Sequence, residues 1–218
     1  MHNKLFAGLA GLGLLMLSAA GRADEPDAGF QSGSILARIR ALDVAPQVSS
    51  SVSAIDGSVH ASNNVVPELD GTYFFTPHIA AELIAAVTYH TVKDVGSAVG
   101  TVPLGSVRLL PPTLTAQWHF LPQSAVNPYV GAGINYTFFY GVKGSTLPII
   151  TSTHYSDNVG AALQAGADVK LSGNWYFNVD VKKLFLETDV TLGTALGQVK
   201  AKVNLDPWLI GAGIGYRF

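Results

Sequence analysis

The sequence predicts an all-β fold, an eight-stranded antiparallel transmembrane β-barrel with short periplasmic turns and four longer extracellular loops. Three observations carry that prediction. The N-terminus reads as an export signal, the chain is apolar without a helical membrane span, and the later segments alternate at period two with glycine on one face.

Residues 1–23 read as a secretory signal peptide: Lys4 gives a positive start, Leu5 to Leu17 an apolar run, and Gly21 and Ala23 flank Arg22 as small cleavage-site residues. That run is shorter than the roughly 20 residues a spanning helix needs. The mature barrel is expected over residues 24–218, as one domain. No cysteine is present, so neither disulfides nor thiolate metal sites are available. A net charge of −2 with 13% charged residues leaves no basic footprint for nucleic acid.

Mean hydropathy is +0.31, yet Glu82 interrupts the best apolar window after the signal. An apolar exported chain without spanning helices fits a closed β-barrel, in which every backbone group is paired within the wall. Composition alone also fits a soluble periplasmic β-sandwich.

Side-chain parity separates the two. Trp208, Ile210, Ala212, Ile214, Tyr216 and Phe218 share one face, and Leu209, Gly211, Gly213, Gly215 and Arg217 the other. A sandwich turns its bulk toward a crowded core, whereas bulk opposite glycine fits a narrow barrel in lipid with Tyr216 and Phe218 in an aromatic girdle. Residues 129–140, 161–171 and 175–182 repeat the pattern, and 34–42, 79–90 and 110–120 show it less cleanly. Residues 66–76 are the noisiest, with Leu69, Gly71, Tyr73 and Phe75 opposed by Glu68, Asp70, Thr72 and Phe74. Three short connections, 76–78, 121–127 and 172–174, alternate with four longer ones at 43–65, 91–107, 141–157 and 188–199. Both chain ends then lie on the short-turn side, which is periplasmic.

An eight-stranded barrel is filled by side chains or holds one small ligand. Arg38, Arg40, Glu82, Asp168, Lys170, Asp180, Lys182 and Arg217 face inward and mix both signs, so they are expected to pair into a lumen plug.

Three stretches carry a family likeness: Leu110-Pro111-Pro112-Thr113-Leu114-Thr115-Ala116-Gln117-Trp118, Pro128-Tyr129-Val130-Gly131-Ala132-Gly133-Ile134-Asn135-Tyr136-Thr137, and Leu205-Asp206-Pro207-Trp208 running to Gly215-Tyr216-Arg217-Phe218. With the strand spacing, the mature chain resembles the OmpW family, which includes AlkL-type alkane importers. The resemblance implies an outer-membrane barrel whose outward half encloses an apolar pocket. Small hydrophobic molecules would cross through it and leave by a gap in the wall.

The residues fit that implication. Above Trp208, Val203, Leu205 and Pro207 take the inward register while Lys200, Lys202, Asn204 and Asp206 point out. Leu184, Leu186 and Thr188 behave alike against Glu187 and Asp189. With Ile84, these residues form the expected pocket lining: Ile84, Leu184, Leu186, Val203, Leu205 and Pro207. Pro111, Pro112 and Pro207 mark a lateral opening or, alternatively, bends in strands leaving the membrane. Lys182 occupies an inward site where the family can place a large aromatic, which makes the pocket floor more polar and points away from alkanes.

The expected partners are outer-membrane lipid, small hydrophobic molecules, and the outer-membrane assembly machinery through the terminal Phe218, with a monomer favoured. No cofactor or metal site is indicated: His60, His90 and His154 fall in or near loops without ligand spacing. The Gly-x-Gly pairs sit within strands rather than at a strand-to-helix turn. A lipid-modifying enzyme would need His119 beside a hydroxyl, and a surface-binding or structural protein would work through its loops. The barrel is expected not to be an enzyme.

Overall fold

Alternation over eight stretches closes a barrel. The computed structural model describes residues 29–51, 58–97, 100–145, 150–194 and 197–218, so the segment read as a signal peptide lies outside the described residues. Each stave is one or two strands. The first is β1 (Ile35–Ala45) with β2 (Ser49–Ser51), and the second β3 (Ser58–Ala61) with β4 (Asn64–Phe74). Stave three is β5 (Ile79–Ala86) with β6 (Thr88–Ser97), and stave four β7 (Gly100–Leu110) with β8 (Thr113–His119). β9 (Val126–Lys143) runs unbroken as stave five; β10 (Ile150–Tyr155) and β11 (Asn158–Ser172) make stave six. β12 (Trp175–Phe185) with β13 (Glu187–Thr194) and β14 (Gly197–Asn204) with β15 (Trp208–Arg217) complete the set.

The inner ring runs β11-β12-β15-β1-β4-β5-β8-β9 and closes through β9 and β11, with every pairing antiparallel. Following ladder partners once around the ring from Ala45, through Trp208, Lys183, Leu163, Ala132, Ala116, Ala81 and Tyr73, returns to Ile35, ten residues lower on β1. That stagger requires strands inclined by roughly 40° and a lumen that side chains fill.

Parity in the structure follows the sequence. Ile134 is 61% and Ile214 46% exposed, so both face lipid rather than a dry core. On the inward face, Arg38, Arg40, Glu82, Asp180 and Lys182 are buried. The four longer connections are themselves largely strand. Beyond the ring the same sheet runs on from β9 through β7 and β6 to β3, and a second sheet of four strands is ordered β10-β13-β14-β2.

Candidate functional site: an apolar cavity above a buried ion network

From the short-turn end outward, the lumen is layered. Phe30 closes the bottom, stacked at 4.4 Å on Phe74 and 4.8 Å on Tyr176. Its segment is tied down: Phe30 N donates to Pro122 O at 2.9 Å, Gln123 Nε2 to Phe30 O at 3.0 Å, and Arg217 Nη1 to Gly29 O. His119 lies above, with its ring 4.7 Å from Phe74 and 5.0 Å from Tyr129. Its nitrogens meet Gln117 Oε1 and Asn127 Nδ2 rather than a hydroxyl.

The middle layer is ionic. Arg38 contacts Asp70 at 2.7 Å, Glu82 at 2.9 Å and Asp168 at 3.1 Å; Arg40 contacts Glu68 at 2.6 Å, Glu82 at 2.6 Å and Asp70 at 2.9 Å. Lys182 pairs with Asp180 and reaches Glu68 at 3.6 Å. Neutral donors complete the shells: Gln117 Nε2 donates to Glu82 Oε2 at 2.6 Å, Tyr129 OH to Asp180 Oδ2 at 2.7 Å, and Asn178 Nδ2 to Asp168 Oδ1 at 2.8 Å. Burying ions is tolerable only with such pairing. Six of the eight charges expected in the plug, Arg38, Arg40, Glu82, Asp168, Asp180 and Lys182, therefore meet in one network. Arg217 instead anchors the short-turn end through Gly29 and Asn174, and Lys170 stands beside Tyr176 in the β11–β12 ladder.

The β15 glycines make room for this layer. Gly215, Gly213 and Gly211 lie opposite Arg38, Arg40 and Leu42 across the ladder.

Above the ions lies a cavity of about 120 Å³. Ile84, Leu184, Leu186, Val203, Leu205 and Pro207 all line it, joined by Leu42, Val44, Ala86, Val92, Val107, Leu109, Pro111 and Phe139, with Glu68 and Lys182 also bordering it. The residues change character without changing parity: Leu184, Leu186 and Thr188 are buried while Glu187 and Asp189 are exposed. On that polar outer surface Lys202 Nζ donates to Glu187 at 3.1 Å, and this hydrogen bond and charge hold the lysine above its usual pKa.

The prolines interrupt the wall at two places. Between staves three and four the ladder stops after Ile84 and Thr113 and resumes in the same register at Thr88 and Leu109. Ala85–Val87 thus face Leu110–Pro112 unpaired. On the β9 side the break is sutured: Asn135 Nδ2 donates to Thr113 Oγ1 at 2.8 Å and to Pro111 O at 3.1 Å, and Tyr136 N to Pro112 O at 3.0 Å. Pro207 is bridged on both flanks, by Leu184 N to Pro207 O at 3.2 Å, Leu205 N to Leu186 O at 2.8 Å and Gln47 N to Leu205 O at 2.9 Å.

The sequence signature of the OmpW family spans residues 31–218. The chain belongs to that family. As an OmpW-family protein it is an outer-membrane β-barrel. It is 48% identical over 183 residues to the outer-membrane protein y4mB of Sinorhizobium fredii, covering 83% of this chain and 78% of that protein. The dibenzothiophene metabolism operon protein PahQ of Pseudomonas aeruginosa is 31% identical, over 74% of this chain and 75% of its own. The crystal structure of OprG from Pseudomonas aeruginosa superposes with a TM-score of 0.82 at 28% identity, over 87% of this chain and 98% of OprG.

Two features of this OmpW barrel were not placed by sequence reasoning. Glu68 and Asp70 are central to the ion layer, and both lie on the noisiest strand. His90, expected in or near a loop, is instead 5% exposed on the cavity wall, its Nδ1 2.7 Å from Ser62 O. It lies on β6, which continues the alternation of β5 past the break. His154 is exposed, and the His60 side chain lies outside the described set.

Proposed function

We propose that this barrel gives small hydrophobic molecules a route across the outer membrane, through the apolar cavity and out sideways into lipid. The cavity itself carries the reading. Its wall is largely aliphatic, the outer surface beside it is polar along β13 and β14 but apolar at Val87 and Tyr89 next to the unpaired stretch, and the buried ion layer beneath bars continuation down the lumen. An apolar solute entering from outside therefore has a favourable site and a blocked floor, and lateral exit remains.

The exit favoured by the geometry lies at Ala86 and Pro111, which stand opposite each other in the unpaired stretch and both line the cavity. A strand edge lacking ladder bonds parts at smaller cost than a bonded one. PahQ, a relative named for a dibenzothiophene operon, supports an apolar cargo. Release of the signal segment near Asp24, insertion through Phe218 and action as a monomer complete the proposal.

The chain has no cysteine, so an Ala86→Cys/Pro111→Cys pair can lock the break without side reactions. Cells producing the wild type should take up dibenzothiophene faster than cells lacking it. The oxidised pair should lose most of that gain and recover it with reductant. Unchanged uptake by the locked barrel would rule out this exit, and no gain with the wild type would rule out passage.

A further inference from the structure

We propose that the cavity takes its ligand head-down, and that the ligand is an apolar molecule carrying one hydrogen-bond-donating head, a hydroxyl or an ammonium, that docks on Glu68. The inference rests on the passage reading and specifies its cargo.

Glu68 is fully buried and borders the apolar cavity. Its Oε1 is held by Arg40 Nε at 2.6 Å, whereas its Oε2 has no hydrogen-bond partner among the described residues. A buried carboxylate oxygen left without a donor is unfavourable, and a donor that reaches it gains a charge-assisted bond. Three other polar groups of the wall are engaged: Thr113 Oγ1 donates to Pro111 O at 3.1 Å, Thr188 Oγ1 to Ser156 O at 2.9 Å, and His90 Nδ1 meets Ser62 O. Lys182 gives one of its three N–H groups to Asp180. Thr153 Oγ1, without a partner among the described residues, can donate or accept and so does not discriminate between heads, whereas the Glu68 carboxylate only accepts. Charge points the same way. In the ion layer the carboxylates Glu68, Asp70, Glu82, Asp168 and Asp180 pair with Arg38, Arg40 and Lys182. An anionic head would meet the open carboxylate oxygen of Glu68 with like charge, while an ammonium or hydroxyl would donate to it.

The test uses four probes with the same tail: 1-octanol, octylamine, methyl octanoate and octanoate. Each is titrated against the full barrel in lipid nanodiscs, with empty nanodiscs subtracted. The two donor-headed probes should bind roughly tenfold or more tightly than the ester and the acid. In protein carrying 13C-labelled glutamate carboxylates, octylamine should shift the Glu68 resonance, identified by its absence in Glu68→Gln. The probe series needs only the wild type, so a poorly folding variant does not blunt it. Equal affinities across the series, or tighter binding of octanoate, would overturn the donor-head assignment while leaving passage standing. Absence of saturable binding by all four would overturn both.

Discussion

Gly213 lies opposite Arg40 across the β1–β15 ladder, and a β-carbon on Gly213 would fall 2.0 Å from Ile39 O and 2.8 Å from Arg40 Cγ. The glycine is thus the space into which the arginine packs. Neither obstacle yields freely, because Ile39 O belongs to the wall and Arg40 is fixed by three carboxylates. Gly213→Val should therefore destabilise the barrel by about 1–3 kcal/mol or more, the range for overpacking a filled interior. Urea unfolding in lipid vesicles, followed by tryptophan fluorescence, reads this directly. The same change at Gly173, in an exposed turn with nothing near its β-carbon position, tests backbone strain alone, since φ there is +53°.

The Arg40–Glu68 contact at 2.6 Å is a candidate for a double-mutant cycle. Arg40→Met leaves Glu68, Asp70 and Glu82 short of a buried cation and should cost about 3–5 kcal/mol. Adding Glu68→Gln removes one of the stranded charges, so the double variant should recover part of the loss. Additive losses in the same unfolding assay would show that the two side chains do not act as a pair.

How far these residues were legible in the sequence depends on the neighbouring strand. Gly211, Gly213 and Gly215 alternate with bulky residues on one strand, so the sequence displays their inward face directly. Glu68 and Asp70 are harder to read because Tyr73, Phe74 and Phe75 put aromatics on both faces, yet only Phe74 turns inward. His90 was hidden for another reason: it ends the 79–90 stretch, and the glycine- and serine-containing connection that follows reads as loop although β6 runs on to Ser97. The prolines were visible as ladder breaks, but which break is sealed depends on Asn135 and Gln47, two residues far away in sequence. Single-strand periodicity carries no information about such partners.

Asn135 is 1% exposed and holds the carbonyls of the Pro111–Pro112 break on the β9 side. Asn135→Leu keeps the volume and removes the donors, leaving Pro111 O to Thr113 Oγ1 alone and the more distant Pro112 O, at 3.3 Å, to Tyr136 N. A loss of about 1–3 kcal/mol is expected, as for buried polar groups that lose a partner. Amide exchange should accelerate locally at Leu110, Tyr136 and Thr137 while Gly131 and Ala132 stay protected. Uniform acceleration along β9 would mean that Asn135 supports the whole wall rather than the break.

Phe30 tests whether the bottom of the lumen is a separate structural unit. The first and last ring strands in the chain, β1 and β15, pair along their length and exchange hydrogen bonds between Ile35 and Phe218 at 3.2 and 2.8 Å, and none of these bonds passes through Phe30. Its contribution is packing: 1% exposed and stacked on Phe74 and Tyr176, it covers the aromatic layer beneath the ions. Phe30→Ala should cost about 3–5 kcal/mol if the site cannot collapse, and less if water enters. The barrel should nevertheless still fold, and migrate as a compact species on unheated gels. Arg38 and His119 lie just above, so loss of the ring should also speed exchange of the His119 imidazole protons, which NMR resolves. A Phe30→Ala barrel with unaltered stability and unaltered His119 exchange would show that the N-terminal segment only lies against the turn, whereas failure to fold would show that ring closure depends on it.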